Sequence, residues 1–456
     1  MRALLVALGL TMGALTASHR AQAVDAALAP DATAVTVGMS WGPEAIRASR
    51  RALAPPAALP PGTAPLDPLD QVVVVEEDGP SLAVFDGRAV GLRGRVALAP
   101  RRLAVPPRFS PDGLLAYVAA VDGWVTLVDL VGLRVLAEIR VAERLRGLAV
   151  SGDGRWLLAA NASPHSLVLL RADLGLERVY ALRSADGKRD SAAAAVADAA
   201  VRRRFVVALE SLPELWEISY DPHAEDIYDG MVHDFRMGEG IPRRGFLGVR
   251  RIALPRPLGS LFIDPIQAHA LGHAGPGPGD VVNLDVRRRI EALPVAAPRD
   301  PASMAVSERG GVRHLIVPAS NAASLQVVDM KRWRLQAEVT LPGVATVVRA
   351  HAGSDRLWAL LGASAEASAG VAVVDLAAGR LETVLGEPGA TAVDLDLGRD
   401  GRRLWVAARA TGTDQRDSLL VYEVGQAAPA DRLPLTRPVS VQAVANAVLR
   451  SQGRVP

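Results

Sequence analysis

The stretch Val125-Thr126-Leu127-Val128-Asp129 decides the fold. A run this rich in Val and Leu suits a strand buried on both faces, and its terminal acid stands where a turn must follow. The same signature returns as Leu82-Ala83-Val84-Phe85-Asp86, Val281-Val282-Asn283-Leu284-Asp285, Leu325-Gln326-Val327-Val328-Asp329 and Val371-Ala372-Val373-Val374-Asp375. Looser copies are Leu167-Val168-Leu169-Leu170-Arg171, Leu215-Trp216-Glu217-Ile218-Ser219 and Leu419-Leu420-Val421-Tyr422-Glu423. About eight copies, spaced by roughly 42–48 residues with one longer gap, give the period of propeller blades.

The turns repeat as well: Ser110-Pro111-Asp112-Gly113, Ser151-Gly152-Asp153-Gly154, Ser307-Glu308-Arg309-Gly310 and Arg399-Asp400-Gly401. Each joins an acid or Pro to a Gly able to take positive φ, and each precedes an apolar strand such as Leu404-Trp405-Val406. A blade therefore reads as turn, buried strand, short turn, acid-ended strand, short turn, outer strand. The expectation is an all-β chain, an eight-bladed β-propeller of four-stranded antiparallel blades over residues 70–430. Radial repetition leaves only short, protected sheet edges.

Half of the 456 residues are hydrophobic, enough for a large core and against general disorder. The formal charge is only +2, with acids and bases interleaved and no basic run carrying stacking aromatics, so nucleic acid is excluded as a partner. Lys188 and Lys331 are the only lysines. A GC-rich genome explains so much Arg, and so does a need for guanidinium forks toward carboxylate ligands. With no cysteine, the chain has no disulfide, thiolate metal site, iron–sulfur cluster or CxxCH-bound c-type haem.

Residues 1–23 read as a signal peptide: Arg2 at the positive end, an apolar core too short to span, and Ala21-Gln22-Ala23 for cleavage. The mature chain then begins near Val24, in the periplasm, with no membrane span. Residues 24–69, rich in Ala and Pro, read as an N-terminal tether with one short helix around residues 43–52. Residues 431–456 read as a C-terminal strand or tail that closes or trails the ring. The gap between Ser219 and Asp285 is about twenty residues longer than the period. It includes Tyr228-Asp229-Gly230, His233-Asp234 and a basic run over residues 243–251. Such an insertion is either a functional loop or a surface ornament.

That insertion and the strand before it resemble the cytochrome d1 domain family. The matching runs are Leu215-Trp216-Glu217-Ile218-Ser219-Tyr220-Asp221-Pro222 and Tyr228-Asp229-Gly230-Met231-Val232-His233-Asp234-Phe235-Arg236-Met237-Gly238-Glu239. Phe109-Ser110-Pro111-Asp112-Gly113, Asp122-Gly123-Trp124-Val125 and Asn283-Leu284-Asp285-Val286-Arg287 are further similar stretches, and the likeness covers roughly residues 70–430. The family holds the haem d1 propeller of bacterial nitrite reductase and stand-alone haem d1 biosynthesis-type relatives. The resemblance implies a non-covalent haem d1 over the central channel, with an iron-binding His from an early blade and Arg and His around the macrocycle. Here the sequence departs. Alignment puts Ala104 at the iron-ligand position, Asp300 and Asp394 at or near two further His positions, and the run Ala192-Ala193-Ala194-Ala195 where an Arg is expected.

The candidate cofactor-binding residues that remain are His351, Arg349, Arg146, His233, Arg251 and His269. His351 would be axial or distal, or else bond a backbone carbonyl at a strand end. His233, next to Asp234, would donate a proton or sit on the insertion's surface. Arg146, Arg349 and Arg251 would pair with ring carboxylates or form blade ion pairs. His269 and His273 have the i, i+4 spacing of helical metal sites, weakened by Gly272 and the strand context. Trp124, Trp156, Trp216, Trp333, Trp358 and Trp405 fit packing between blades better than a cofactor box.

The expected function is that of a periplasmic propeller binding haem d1 or a related tetrapyrrole. Its role would be accessory to nitrite reduction and denitrification: biosynthesis, carriage or maturation, with a haem d1 enzyme as a possible protein partner. Without a c-type haem motif it is not a self-sufficient nitrite reductase, while a late haem d1 biosynthetic activity follows from the resemblance alone. The alternative is a cofactor-free propeller serving as an interaction scaffold.

Overall fold

In the computed structural model, residues 41–55, 67–228, 243–273, 277–298, 300–362, 370–412, 416–452 and 454 are described. They form eight antiparallel sheets, seven of four strands and one of five. Each acid-ended repeat in the sequence is the third strand of a blade, as in Trp124–Asp129 and Val371–Asp375. The terminal acid makes the following turn. Asp86 Oδ1 accepts from the amides of Arg88 and Ala89, and Asp329 Oδ1 from those of Lys331 and Arg332. In the fifth blade Asn283, not Asp285, does this work, accepting from Asp285 and Val286. An amide oxygen serves because the turn needs an acceptor, not a charge.

Eight apolar clusters fill the eight gaps between sequential blades, the last joining Trp405 and Val421 of blade 8 to Val72 and Val441 of blade 1. Trp216, Trp358 and Trp405 are fully buried in these seams. Each contributes about 4–6 kcal/mol of apolar transfer at about 25 cal/mol per Å². Trp124 differs: it is half-buried beneath the guanidiniums of Arg51 and Arg101.

The ring closes with chain from both ends. Blade 1 takes its three outer strands from Gln71–Glu76, Ser81–Asp86 and Gly91–Ala97, and its innermost strand from Pro438–Ala443. Asp431–Pro434 is the outermost strand of blade 8, so the ring runs past residue 430 to Ala443. Helix α1, Pro43–Ser49, buries Ile46 in the seam between blades 2 and 3. Arg51–Ala52 then adds a fifth strand to blade 2. Residues 41–54 are thus packed onto the ring.

In blades 2 to 8 the four ring strands run outward from the hub in sequence order, and blade 1 follows the same plan with its hub strand supplied by Pro438–Ala443. Turns between the first and second strands, and between the third and fourth, therefore share one face of the ring, here the turn face. Links between the second and third strands, and from blade to blade, share the other, the loop face. Helix α2, Val444–Ser451, leaves the hub strand of blade 1 on the turn face. It packs Val444, Ala447 and Val448 against Phe109 and Leu69. At its far end the carbonyl of Gln452 meets the side chain of Gln267, which lies in blade 5, directly across the ring. The helix spans the hub and covers its turn-face mouth.

Candidate functional site

The hub is lined by the innermost strands. Those of blade 2, Arg108–Phe109, blade 7, Ala345–Ala350, and blade 8, Ala390–Leu397, bring charges into it. A bulge between Ala392 and Asp394 sets Asp394 and Asp396 side by side. Both serve the free edge of the closing strand: Val441 N donates to Asp394 Oδ2 and Ala443 N to Asp396 Oδ2, each at 3.0 Å. Edge amides that would otherwise be buried without acceptors are satisfied in this way. Arg450 of α2 grips Asp396 with a two-pronged fork at 2.9 and 2.6 Å.

Arg349 is left outside these pairs. Its side chain is 11% exposed, with Nη2 3.8 Å from Asp394 and Nε 4.0 Å from Asp396. Nε has no hydrogen-bond partner, and Nη1 donates to the carbonyls of Ala302 and Val348. Ala302 belongs to the short turn Pro301–Ser303 leading into blade 6, so the guanidinium leans toward the loop face. Arg108 donates from Nε to Leu148 O at 3.1 Å, and no carboxylate lies within ion-pair distance of it among the described residues. Burial pushes both guanidinium pKa values down, and the Arg450 charge adds to the effect in each. Burial also raises the Asp394 carboxyl. Arg108 and Arg349, both largely buried, and the partly exposed Arg450 thus face Asp394 and Asp396, and the charge of Asp300 acts on the first two.

The five described sequence candidates do not gather in one cluster. Arg349 reaches the hub. Arg146 pairs with Glu210, and Arg251 lies over Trp216 and bonds Glu214 and the carbonyl of Arg183, all on the loop-face side. His351 is on the turn face, where Nε2 meets the carbonyl of Arg399 and Nδ1 accepts from Gly353 N. His269 is also at that end, bound to Asp264 at 2.9 Å and packed edge-on to Trp333. His273 lies at the other end of the His269–Gly272 strand. Four residues along a strand separate the two rings by about 13 Å, too far for one metal ion. No group of three metal-ligating side chains occurs among the described residues. His233 lies outside the described residues, in the connection from third to fourth strand of blade 4.

Of the positions where the sequence departs from the resembled family, Asp394 meets Arg349, and the charge of Asp300 acts on both Arg349 and Arg108. Ala104 packs against the apolar seam of blades 2 and 3. Sequence reasoning missed Arg108, Asp396 and Arg450. Arg108 directly precedes the Phe109 motif and was open to notice; the other two carry no periodic signal.

The sequence profile of the cytochrome D1 heme domain family matches residues 66–229 and 276–447. The chain belongs to that family. This cytochrome d1 family member is 32% identical over 424 residues to the dihydro-heme d1 dehydrogenase of Pseudomonas aeruginosa, covering 91% of this chain and 79% of that protein. It is 25% identical over 309 residues to protein NirF of Stutzerimonas stutzeri, covering 66% of this chain and 74% of NirF. Among solved structures it superposes on dihydro-heme d1 dehydrogenase NirN in complex with DHE. The TM-score is 0.78 at 31% identity, over 91% of this chain and 84% of NirN. The stretch between the two matched segments covers most of the insertion of blade 4.

Proposed function

We propose that this family member is a stand-alone propeller that holds haem d1, or a related tetrapyrrole bearing carboxylates, over the loop-face mouth of the hub. Its role is accessory to denitrification: biosynthesis, carriage or maturation of the cofactor, in the periplasm. The observation that carries this reading is a pair of largely buried guanidiniums: Arg349, whose carboxylate contacts are no closer than 3.8 Å, and Arg108, which donates to a backbone carbonyl. A buried cation without a carboxylate is costly unless an anion arrives to pair with it. The likeness to a dihydro-heme d1 dehydrogenase supports a tetrapyrrole as that anion and leaves a late biosynthetic step open.

The residues fit the carboxylates of such a ring better than its iron. Ala104 offers no ligand atom, and no described imidazole hydrogen-bonds to the hub charges. When bound, the group would supply its iron and conjugated ring for redox chemistry. The chain's own contribution is to anchor carboxylates at Arg349 and Arg108, with Arg146 and Arg251 at the rim, and to block the far mouth with α2. Without cysteine it carries no covalent c-type haem, so electrons would pass to or from a partner protein. The packing of Ala104 favours a second reading, a cofactor-free scaffold.

Titration of the purified protein with haem d1 or haem b, followed in the visible spectrum, separates the two. Binding should shift the main absorption band. Arg349→Ala should weaken it about tenfold or more, the worth of a charge-assisted bond, while His351→Ala on the turn face should leave it unchanged. A flat spectrum at saturating ligand would leave only the scaffold.

A further inference from the structure

Arg349 and Arg450 stand on either side of one carboxylate. Arg450 occupies both oxygens of Asp396, at 2.9 and 2.6 Å, and these oxygens also accept from the amides of Leu397 and Ala443 at 3.0 Å each. Asp396 has no free acceptor site left. Arg349 Nε stops 4.0 Å short of it and stays unbonded. Asp394 accepts from the amides of Leu395 and Val441, one on each oxygen, and stands 3.8 Å from Arg349 Nη2. The side chain that wins Asp396 comes from α2, outside the blades, and its position is fixed by Asn446 bonding Leu397 O at 2.7 Å.

We propose that Arg450 is a positioning residue: by saturating Asp396 it keeps the Arg349 guanidinium out of hydrogen-bonding contact with that acid and turned toward the loop-face mouth, where it can hold a ligand carboxylate. The proposal rests on the tetrapyrrole reading for the identity of that ligand, but its geometric part does not. Two guanidiniums compete for one buried acid, and the bidentate fork wins over a single Nε contact. Removing Arg450 hands Asp396 to Arg349, which then swings away from the carbonyl of Ala302.

Two measurements test this on the full chain. A crystal structure of ligand-free Arg450→Gln should show Arg349 Nε drawn from 4.0 Å to ordinary ion-pair distance from Asp396; an unmoved Arg349 overturns the proposal. The second measurement titrates haem b and its dimethyl ester, which lacks the carboxylates, into wild type, Arg450→Gln, Arg450→Lys and the double variant Arg450→Gln/Asp396→Asn. Haem b affinity should fall about tenfold in Arg450→Gln. It should return in the double variant and recover in part with Lys, while the ester binds all four alike. Equal losses for acid and ester, or no rescue by Asp396→Asn, would make Arg450 merely a clamp for α2 and sink the positioning role. If wild type takes up neither haem b nor haem d1, the tetrapyrrole reading fails, and the crystal structure still decides whether Arg450 positions Arg349. Should Arg450→Gln not fold, Arg450→Lys and the double variant carry the comparison.

Discussion

At the scale of single residues, side-chain acceptors hold the turns and paired charges set the acid limit. Asp86→Ala should cost about 1–2 kcal/mol in urea unfolding, through two lost amide bonds. Asp86→Asn should be nearly neutral, because Asn283 already fills the same position in blade 5. Asp280 shows the electrostatic side. Burial opposes its ionisation, but the fork of Arg256 and the Nε bond from Arg289 more than offset this and hold the carboxyl below its ordinary 3.8. Its stabilisation is therefore full above that value and lost as pH falls through the lower folded value. Asp198 runs the other way. Burial raises its carboxyl, so the folded chain keeps a proton the unfolded chain has released. That contribution is full below 3.8 and is lost as pH climbs through the raised value. Asp198→Asn should thus melt higher than wild type at about pH 7 and level with it near pH 3, as read by calorimetry.

At the scale of elements, the closing strand and its two acids are the vulnerable joint. Asp396→Ala strands Arg450 and the amide of Ala443, and should cost about 3–5 kcal/mol, the penalty for orphaning a buried charge. The amino-terminal clasp should matter less. Deleting residues 1–54 removes Ile46 from one seam and Arg51–Ala52 from one sheet edge, so the ring should survive with a modestly lower Tm. The third strands were legible in the sequence because burial on both faces forces Val and Leu at a fixed period. Helix α2 was not: residues 431–456 read as a strand or tail. Its apolar side answers Phe109 and Leu69, more than three hundred residues away in sequence, rather than any local repeat. Arg349 was among the sequence candidates, but Arg108, Asp396 and Arg450 failed to show for the same reason, since they come from separate blades and one helix.

At the scale of the whole molecule, eight seams of similar make join into a closed ring, so no blade has a free face at which unfolding can start alone. Fluorescence of the buried Trp216, Trp358 and Trp405 should change in step with far-ultraviolet circular dichroism, in a single transition. Truncation before Pro438 should split the two signals, because blade 1 then loses its hub strand. The ring's order and size were legible from spacing alone. Which mouth is covered was not, since that depends on where the last helix turns. Because Pro438–Ala443 completes a blade begun at Gln71, a chain emerging amino end first must leave one edge of Gln71–Glu76 unpaired until Pro438–Ala443 has been made. Nothing the hub grips can be loaded onto an open ring; filling has to wait for that closing strand.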